Sequence, residues 1–310
     1  RNKSDWSQCG DIWERNAKMH EVKAKSILSA RNGMNLYRGC SHGCIYCDSR
    51  STCYGMDHAF EDIEVKINGP ELLEQALKRR RKRCMIGTGA MCDPYMPAER
   101  SLGLTRKCLE IIEHYGFGVS ILTKSDLILR DLDLLKRINK KTRCVVQMTL
   151  TTCDEDQCRI IEPHVCTTSR RAQVLEIMRD EGIPAIIWMC PILPFINDTE
   201  ENIQGIIEYG ERARVHGILA FDIGVTLRDG DRQYFYSRLD EHYPGLKKQY
   251  MDMYGNAYEV GSPRKKELMA FFKRLCRERQ METDINKLFA YLQKFEDKGA
   301  GEQLSFMDLI

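Results

Sequence analysis

Three cysteines close together, Cys40, Cys44 and Cys47, constrain this chain more than any other feature. Their spacing is C-x3-C-x2-C, and it leaves one ligand missing. A structural zinc site takes four protein ligands, and a catalytic one takes three and a water. An iron–sulfur cube has four irons and wants four ligands. Three thiolates on one tight loop would bind three irons and leave the fourth open to a small molecule. The zinc alternative calls for a partner pair nearby at C-x2-C or H-x3-H spacing. None is present, although Cys53 with His42 or His58 could complete such a site, and ligand softness alone does not exclude it. Plain buried thiols are the third reading, but the loop is rich in Gly, Ser and Arg and lacks apolar residues to bury them.

Around the loop the chain alternates apolar runs with amphipathic ones. Strands are predicted over 34–39, 84–88, 118–123, 144–152, 185–191 and 218–225. Helices are predicted over 71–83, 104–115, 132–139, 169–181 and from a Thr199 cap to about His216. Leu72, Leu73, Ala76 and Leu77 share one helical face, and Gly116 and Gly182 stop their helices. Six strands alternating with helices predict a parallel α/β sheet with right-handed crossovers. Near-continuous apolar strands are covered on both faces. A closed barrel needs eight such units, so six predict an open, partial (β/α)6 TIM-like barrel. Residues 1–25 are expected to form an N-terminal extension, 26–226 the barrel, and 227–310 a helical, aromatic-rich C-terminal extension.

In parallel α/β folds ligands gather at the carboxyl ends of strands. The second strand ends Gly87, Thr88, Gly89 and runs on to Cys92 and Asp93; glycines there let backbone approach a ligand. The third ends at Thr123 and Lys124, and the fourth at Thr149. Lys124 can offset a carboxylate, and the hydroxyls can bind polar groups. Arg171, which follows Glu162 and Pro163, can pair with a ligand carboxylate or with Glu162. The fifth strand runs into a stiff apolar turn from Pro191 to Pro194. Each feature alone has an ordinary structural reading: glycines end strands, Asn197, Asp198 and Thr199 make a helix cap, and Cys92 can simply pack.

The triplet, with the aromatic Tyr46 just before its third cysteine, resembles the radical S-adenosylmethionine (SAM) superfamily. The resemblance implies the partial barrel with its cluster loop after the first strand. It implies a 4Fe-4S cluster on Cys40, Cys44 and Cys47, whose open iron chelates the amino and carboxylate groups of SAM. One electron then cleaves SAM to methionine and a 5′-deoxyadenosyl radical that abstracts hydrogen. On the same resemblance Tyr46, Gly87, Thr88, Gly89, Asp93, Lys124, Thr149, Arg171, Pro191 and Pro194 are cofactor-binding candidates, with the proline turn stacking on adenine. The segments 44–47, 89–95, 122–124, Glu162 with Arg171, and 191–194 are similar to the spore photoproduct lyase-like branch, over roughly residues 27–225. That branch implies a lyase-like enzyme of DNA repair or modification, a nucleic-acid substrate, and an electron donor such as flavodoxin or ferredoxin. Its thymine-dimer repair enzyme has a cysteine hydrogen donor after the second strand and two tyrosines around the third cluster cysteine. Here Tyr46 matches one tyrosine, Asp48 replaces the other, and Cys92 sits immediately before Asp93 instead of further upstream. Cys92 and Tyr46 are the catalytic candidates, and a sister activity is expected in place of dimer repair.

Fourteen cysteines in 310 residues, many scattered like Cys84, Cys108, Cys144, Cys190 and Cys276, read as reduced core residues. A labile cluster also needs a reducing compartment, so a cytoplasmic protein is expected. No apolar stretch approaches the ~20 residues of a membrane span, and no signal peptide is visible. The chain opens on Arg1 in place of Met, which leaves room for a removed leader. The net charge of +2 does not by itself imply a nucleic-acid partner. Local features must carry that argument. Residues 78–83 are consecutive cations that could grip a phosphate backbone or form a solvated helix face. Tyr234, Phe235, Tyr236, Tyr243, Tyr250, Tyr254 and Tyr258 alternate with basic residues, and 265–280 reads as a basic amphipathic helix. Such aromatics suit stacking on bases or capping a barrel mouth. Cys153, Cys158 and Cys166 could ligate a second cluster, and the seven histidines show no metal-type pairing. In the tail, Gln303 to Met307 resembles the short peptide that docks bacterial repair and replication proteins on the sliding clamp. A radical SAM enzyme on nucleic acid is the leading expectation. Modification of a peptide or small metabolite, and a non-catalytic iron–sulfur or zinc nucleic-acid-binding module, are the alternatives.

Overall fold

The computed structural model describes residues 18–298. Four short strands open it: β1 (Met19–Val22), β2 (Gly33–Met34), β3 (Tyr37–Arg38) and β4 (Ile63–Lys66). Helix α1 (Gly69–Arg79) and strand β5 (Met85–Thr88) follow. After them come α2 (Glu99–Leu102), α3 (Leu104–His114), β6 (Gly118–Thr123), α4 (Leu132–Lys141) and β7 (Cys144–Thr149). The repeat continues through α5 (Glu155–Ile161), α6 (Thr168–Asp180), β8 (Ala185–Trp188), α7 (Glu200–Arg212) and β9 (Gly217–Leu219). Strands β2, β5, β6, β7, β8 and β9 form one six-stranded sheet in that order, and every adjacent pair is parallel. This is the open α/β arrangement that six alternating units predict.

The pleat divides the sheet into two faces. Val119, Ile121, Val146, Met148, Ile187 and Ile218 pack under the crossover helices. Val145, Ile186 and Leu219 point the other way. That inner face is covered at one end by a late helix, whose Leu288 and Leu292 pack on Met85, Val145 and Ile186. Higher on the same face runs a polar ladder: Trp188 Nε1 donates to Gln147 Oε1 at 2.8 Å, and Gln147 Nε2 donates to Ser120 Oγ at 2.7 Å.

Two predicted strands are divided in the structure. The segment 34–39 splits at Asn35, because β2 joins the large sheet whereas β3 pairs antiparallel with β4 beside β1. The segment 218–225 ends as a strand at Leu219. The Asp222 carboxylate then accepts the backbone N–H of Ile223 at 2.9 Å, a local bond that competes with the ladder. Strand β10 (Gly224–Thr226) resumes antiparallel to β11 (Glu259–Gly261). Between these two lie α8 (Asp231–His242) and α9 (Leu246–Tyr254); α10 (Lys265–Glu278) and α11 (Ile285–Gln293), the helix on the inner face, follow. The predicted helix over 71–83 stops at Arg79, since Arg80 turns extended and its guanidinium bonds Asn32 and the Cys84 thiol. The run of cations is therefore half helix and half loop. No helix among the described residues is long and apolar enough to cross a membrane.

Gly89 is where β5 hands the chain to the site. Its φ is +100°, and a Cβ there would lie 1.9 Å from the Leu122 carbonyl oxygen of β6. Gly89→Ala should therefore lower stability by more than about 1 kcal/mol. A denaturation midpoint equal to the wild type would overturn this.

Candidate active site at the strand ends

The cysteine loop between β3 and β4 is clamped from two sides. Cys40 N donates to Phe60 O at 3.2 Å, and Ile45 N donates to Ile161 O at 3.0 Å. His164 N donates to His42 O at 3.1 Å, which brings the His164 ring to within 2.8 Å of where a Gly43 side chain would start. Gly43 is thus needed both for its φ of +69° and for space. Cys40 and Cys44 are buried, Cys47 is half-buried, and all three are unbridged. Burial pushes each thiol up, Cys44 to about 12, with Lys124 pulling Cys44 and Cys47 back. Such thiols become ligands only against a cation. Among the described residues, the one trio of His, Cys, Asp or Glu whose ligand atoms all lie within 4.8 Å is His20, His58 and Glu64. The three cysteine sulfurs are spread wider than the roughly 4 Å that a single tetrahedral zinc with bonds of about 2.3 Å imposes. The donor set therefore suits a polynuclear cluster.

Tyr46 ties this loop to the barrel. Its hydroxyl donates to Glu162 Oε1, and Arg171 Nη2 donates to Glu162 Oε2 at 2.5 Å. Arg171 Nη1 donates to the Thr149 carbonyl at 2.7 Å, at the end of β7. Arg171 and Glu162 side chains are fully buried. Burial alone would raise the Glu162 carboxyl, but Arg171 and Lys124 outweigh it and hold it below the usual range. Arg171 pairs with Glu162, one of the two partners the sequence allows for it. Lys124 stands 5.9 Å from the Tyr46 ring centroid. Burial lowers its ammonium, but Cys44, Glu162, Asp93 and Cys47 around it more than reverse this.

Asp93 joins the second and third strand ends to the loop. Its Oδ1 accepts from Thr123 Oγ1 at 2.7 Å and Tyr95 N at 2.9 Å; its Oδ2 accepts from Lys124 N at 2.7 Å and lies 3.1 Å from His42 Nε2. Burial raises the carboxyl, yet His42 and these donors hold it at about 2. Thr88 is buried at the end of β5, while Gly87, paired between Gly33 and Ser120, leaves open space on the inner face. A cavity of about 220 Å³ there is lined by Gly87, Thr88, Ala90, Gln147 and Trp188. A larger one, about 680 Å³, lies along the loop's other wall, against Gly43, Ile45, Pro163, His164 and Tyr234.

The turn from Pro191 to Pro194 is built into the same region. Leu193 and Ile196 pack with Cys44, Ile45 and Tyr46, and the Pro194 carbonyl accepts from Tyr250 OH at 2.7 Å. Phe235, Tyr236 and Tyr250 are buried in that cluster, so these aromatics of the C-terminal region cap the loop and are closed to base stacking. Tyr254 belongs to the cap as well, donating to the Gly261 carbonyl at 2.7 Å. Cys92 is buried in the main core, where its thiol donates to the Tyr37 carbonyl at 3.0 Å. Cys153, Cys158 and Cys166 do not converge: Cys158 contacts Arg171, Cys166 donates to the Lys124 carbonyl at 3.3 Å, and Cys153 faces Glu201. Sequence reasoning missed the contact of His42 with Asp93, the role of His164, and the ladder of Ser120, Gln147 and Trp188. A lone histidine next to Cys40, and alternate polar residues in otherwise apolar strands, were the available signals.

The radical SAM superfamily matches residues 34–209, more than half the chain. An uncharacterized protein of Mycobacterium tuberculosis is 30% identical over 252 residues, which cover 76% of this chain and 73% of the relative. An uncharacterized protein of Methanocaldococcus jannaschii is 31% identical over 195 residues, 60% of this chain and 72% of that one. A solved structure of spore photoproduct lyase complexed with dinucleoside spore photoproduct shares the fold, with a TM-score of 0.61 and 17% identity over 85% of this chain and 81% of that one. Given this match and an unbridged cysteine trio at the strand ends, two of its members buried, the chain belongs to the radical SAM superfamily and is an enzyme whose cofactors are a 4Fe-4S cluster and SAM.

Proposed function

We propose that this enzyme abstracts hydrogen from a nucleic-acid substrate, in DNA repair or modification other than thymine-dimer reversal. The observation that carries the reading is the strand-end assembly in which Glu162, Arg171, Asp93 and Lys124 fix the cysteine loop, on a sheet whose inner face opens at Gly87. A fold shared with a lyase solved with a dinucleoside supports the substrate class. Held by Cys40, Cys44 and Cys47, the cluster together with SAM would supply a primary carbon radical from one-electron cleavage of SAM. Lys124 offsets the thiolate charge, and Tyr46 holds the loop through Glu162. The opening at Gly87, with Gln147 and Trp188 beside it, gives a target group a place to be oriented. A base in a duplex would have to leave the stack to reach it. Two departures argue against dimer reversal. Asp48 is engaged by Tyr54 OH at 2.7 Å, and the Cys92 thiol is held by Tyr37 inside the core.

Anaerobic reconstitution with dithionite and SAM, followed by chromatography, should yield 5′-deoxyadenosine, and DNA or RNA oligonucleotides should raise the yield. No 5′-deoxyadenosine would leave a binding module; a rise with peptides or small metabolites alone would move the substrate class. We assign electron supply to a flavodoxin- or ferredoxin-like donor and the enzyme to the cytoplasm. The division at residues 25 and 226 is kept as a functional one, although β1 pairs with β4 across the first boundary. The clamp-like peptide from Gln303 to Met307 lies outside the described residues.

Arg83 pairs with Asp297 at 3.3 Å, whereas Arg79, Arg81 and Lys82 are exposed. Changing those three to Ala should reduce the salt slope of nucleic-acid binding by up to about three. Cluster content should stay constant. An unchanged slope would assign the run to solvent.

A further inference from the structure

On the far side of the cysteine loop a second set of donors converges. His20 and Glu64 are register partners on the parallel strands β1 and β4, so their side chains leave the same face. His58 reaches them from the loop that runs from the cysteines to β4, and its ring meets that of His20 edge-on at 4.9 Å between centroids. One ligand atom from each of the three lies within 4.8 Å of the others. We infer that His20, His58 and Glu64 form a binding site for one divalent d-block cation of the zinc class, separate from the cysteine loop.

The orientation of the imidazoles carries the inference. His58 Nδ1 stands 3.0 Å from the Ala59 carbonyl, and His58 Nε2 stands 2.9 Å from Glu64 Oε1. Both neighbours are oxygens that only accept, and a neutral imidazole has one N–H to give. The ring therefore needs either a second proton or a cation between Nε2 and the carboxylate. His20 Nδ1 is likewise engaged, 3.0 Å from Asp62 Oδ1. A histidine whose one nitrogen is anchored by a carbonyl or carboxylate presents the other as a ligand, and this is the usual outer support of metal-bound imidazole. Two imidazoles and a carboxylate suit zinc and its neighbours, not calcium or magnesium. Bonds of about 2.0–2.1 Å put tetrahedral ligands roughly 3.3 Å apart, so the trio, whose ligand atoms lie within 4.8 Å of one another, has to draw in by at most roughly 1.5 Å.

The local charge is also right. Asp62 and Glu64 both bear on the trio, and Arg38 Nη1 is 3.4 Å from Glu64 Oε1. The other amino group of Arg38 donates to the Tyr54 and Gly55 carbonyls at 2.6 and 2.9 Å, so Arg38 steadies the same loop. A cation here would pin β1 and residues 58–62 together. That segment backs the cysteine loop, because Phe60 O accepts from Cys40 N. The site has three protein ligands, and a cation on them would hold the wall of the loop in place. Its separation in sequence, from His20 to Glu64, is why spacing alone does not reveal it.

The test uses the full chain with its cysteine loop filled by reconstituted cluster, and in parallel the triple Ala variant at Cys40, Cys44 and Cys47. Cobalt(II) is titrated and followed by its visible spectrum, and zinc is quantified after desalting. One equivalent should bind in both proteins, without a thiolate charge-transfer band, and binding should weaken as acid protonates the imidazoles. His20→Ala and His58→Ala should each weaken binding by more than about 100-fold, and Asp62→Asn by about 10–100-fold. His58→Cys should restore cobalt binding and introduce the thiolate band, which separates ligation from misfolding. Equal metal uptake by wild type and both Ala variants, or no uptake by wild type, overturns the site and leaves a protonated histidine paired with Glu64. Cluster content and 5′-deoxyadenosine formation are read separately, so failure here does not touch the radical reading.

Discussion

Changing any one of Cys40, Cys44 or Cys47 to Ala should reduce bound iron from about four per chain to near zero after anaerobic reconstitution. Two thiols give too few ligands for a cube. In the wild type, SAM should perturb the EPR spectrum of the reduced cluster, and in the variants there should be no such spectrum. Replacing Cys153 and Cys166 should leave iron unchanged, because Cys153 and Cys166 face Glu201 and Lys124 carbonyls, not each other. Stoichiometric zinc in the wild type with no iron-dependent absorbance would sink the cluster assignment.

The cysteine loop was legible because its ligands are contiguous and their number is chemically odd. The strand over Gly118–Thr123 was legible to the residue, as a mostly apolar run broken only by Ser120 and Thr123 lies between the helix stop at Gly116 and Lys124. What was not legible depends on long-range contact. The segment 218–225 reads as one apolar strand, and only the arrival of β11 and the Asp222 turn divide it. Ile285–Gln293 falls inside the expected helical extension without being singled out, and its place on the inner face of the sheet follows from packing against Val145 and Ile186. The aromatics of α8 and α9 fit either a cap or a stacking surface by composition; burial of Phe235, Tyr236 and Tyr250 with Leu193 and Ile45 puts those three in the cap, whereas Tyr234 faces the larger cavity. Asp93 was a candidate ligand by position. Its contact with His42 and its bond from Lys124 N show it holding the loop to the strand ends.

Arg171→Met should destabilise the protein by about 3–5 kcal/mol, because it leaves the Glu162 carboxylate buried without its main partner. Glu162→Leu should do similar harm by stranding the guanidinium. The double variant, with both charges gone and volume roughly kept, should recover much of the loss, since a buried ion pair adds little over an apolar one. This non-additivity is the signature that the two act as one unit. The pH response follows from the direction of the shifts. Glu162 and Asp93 are both held below the usual carboxylate range in the folded protein, Asp93 at about 2. Each therefore adds stability that is full above the unfolded value near 4 and is lost as pH falls toward 2. In Arg171→Met the Glu162 carboxyl moves back up, so the gap to the unfolded value closes and the acid slope flattens. The loop should feel the same change. Tyr46 OH still meets Glu162, but Glu162 is no longer tied to the Thr149 carbonyl through Arg171, so iron should be lost faster during desalting than from the wild type. Urea denaturation at several pH values and iron retention measure both effects. A loss under about 1 kcal/mol for Arg171→Met, with iron retained as in the wild type, would show that the pair does not hold the cysteine loop.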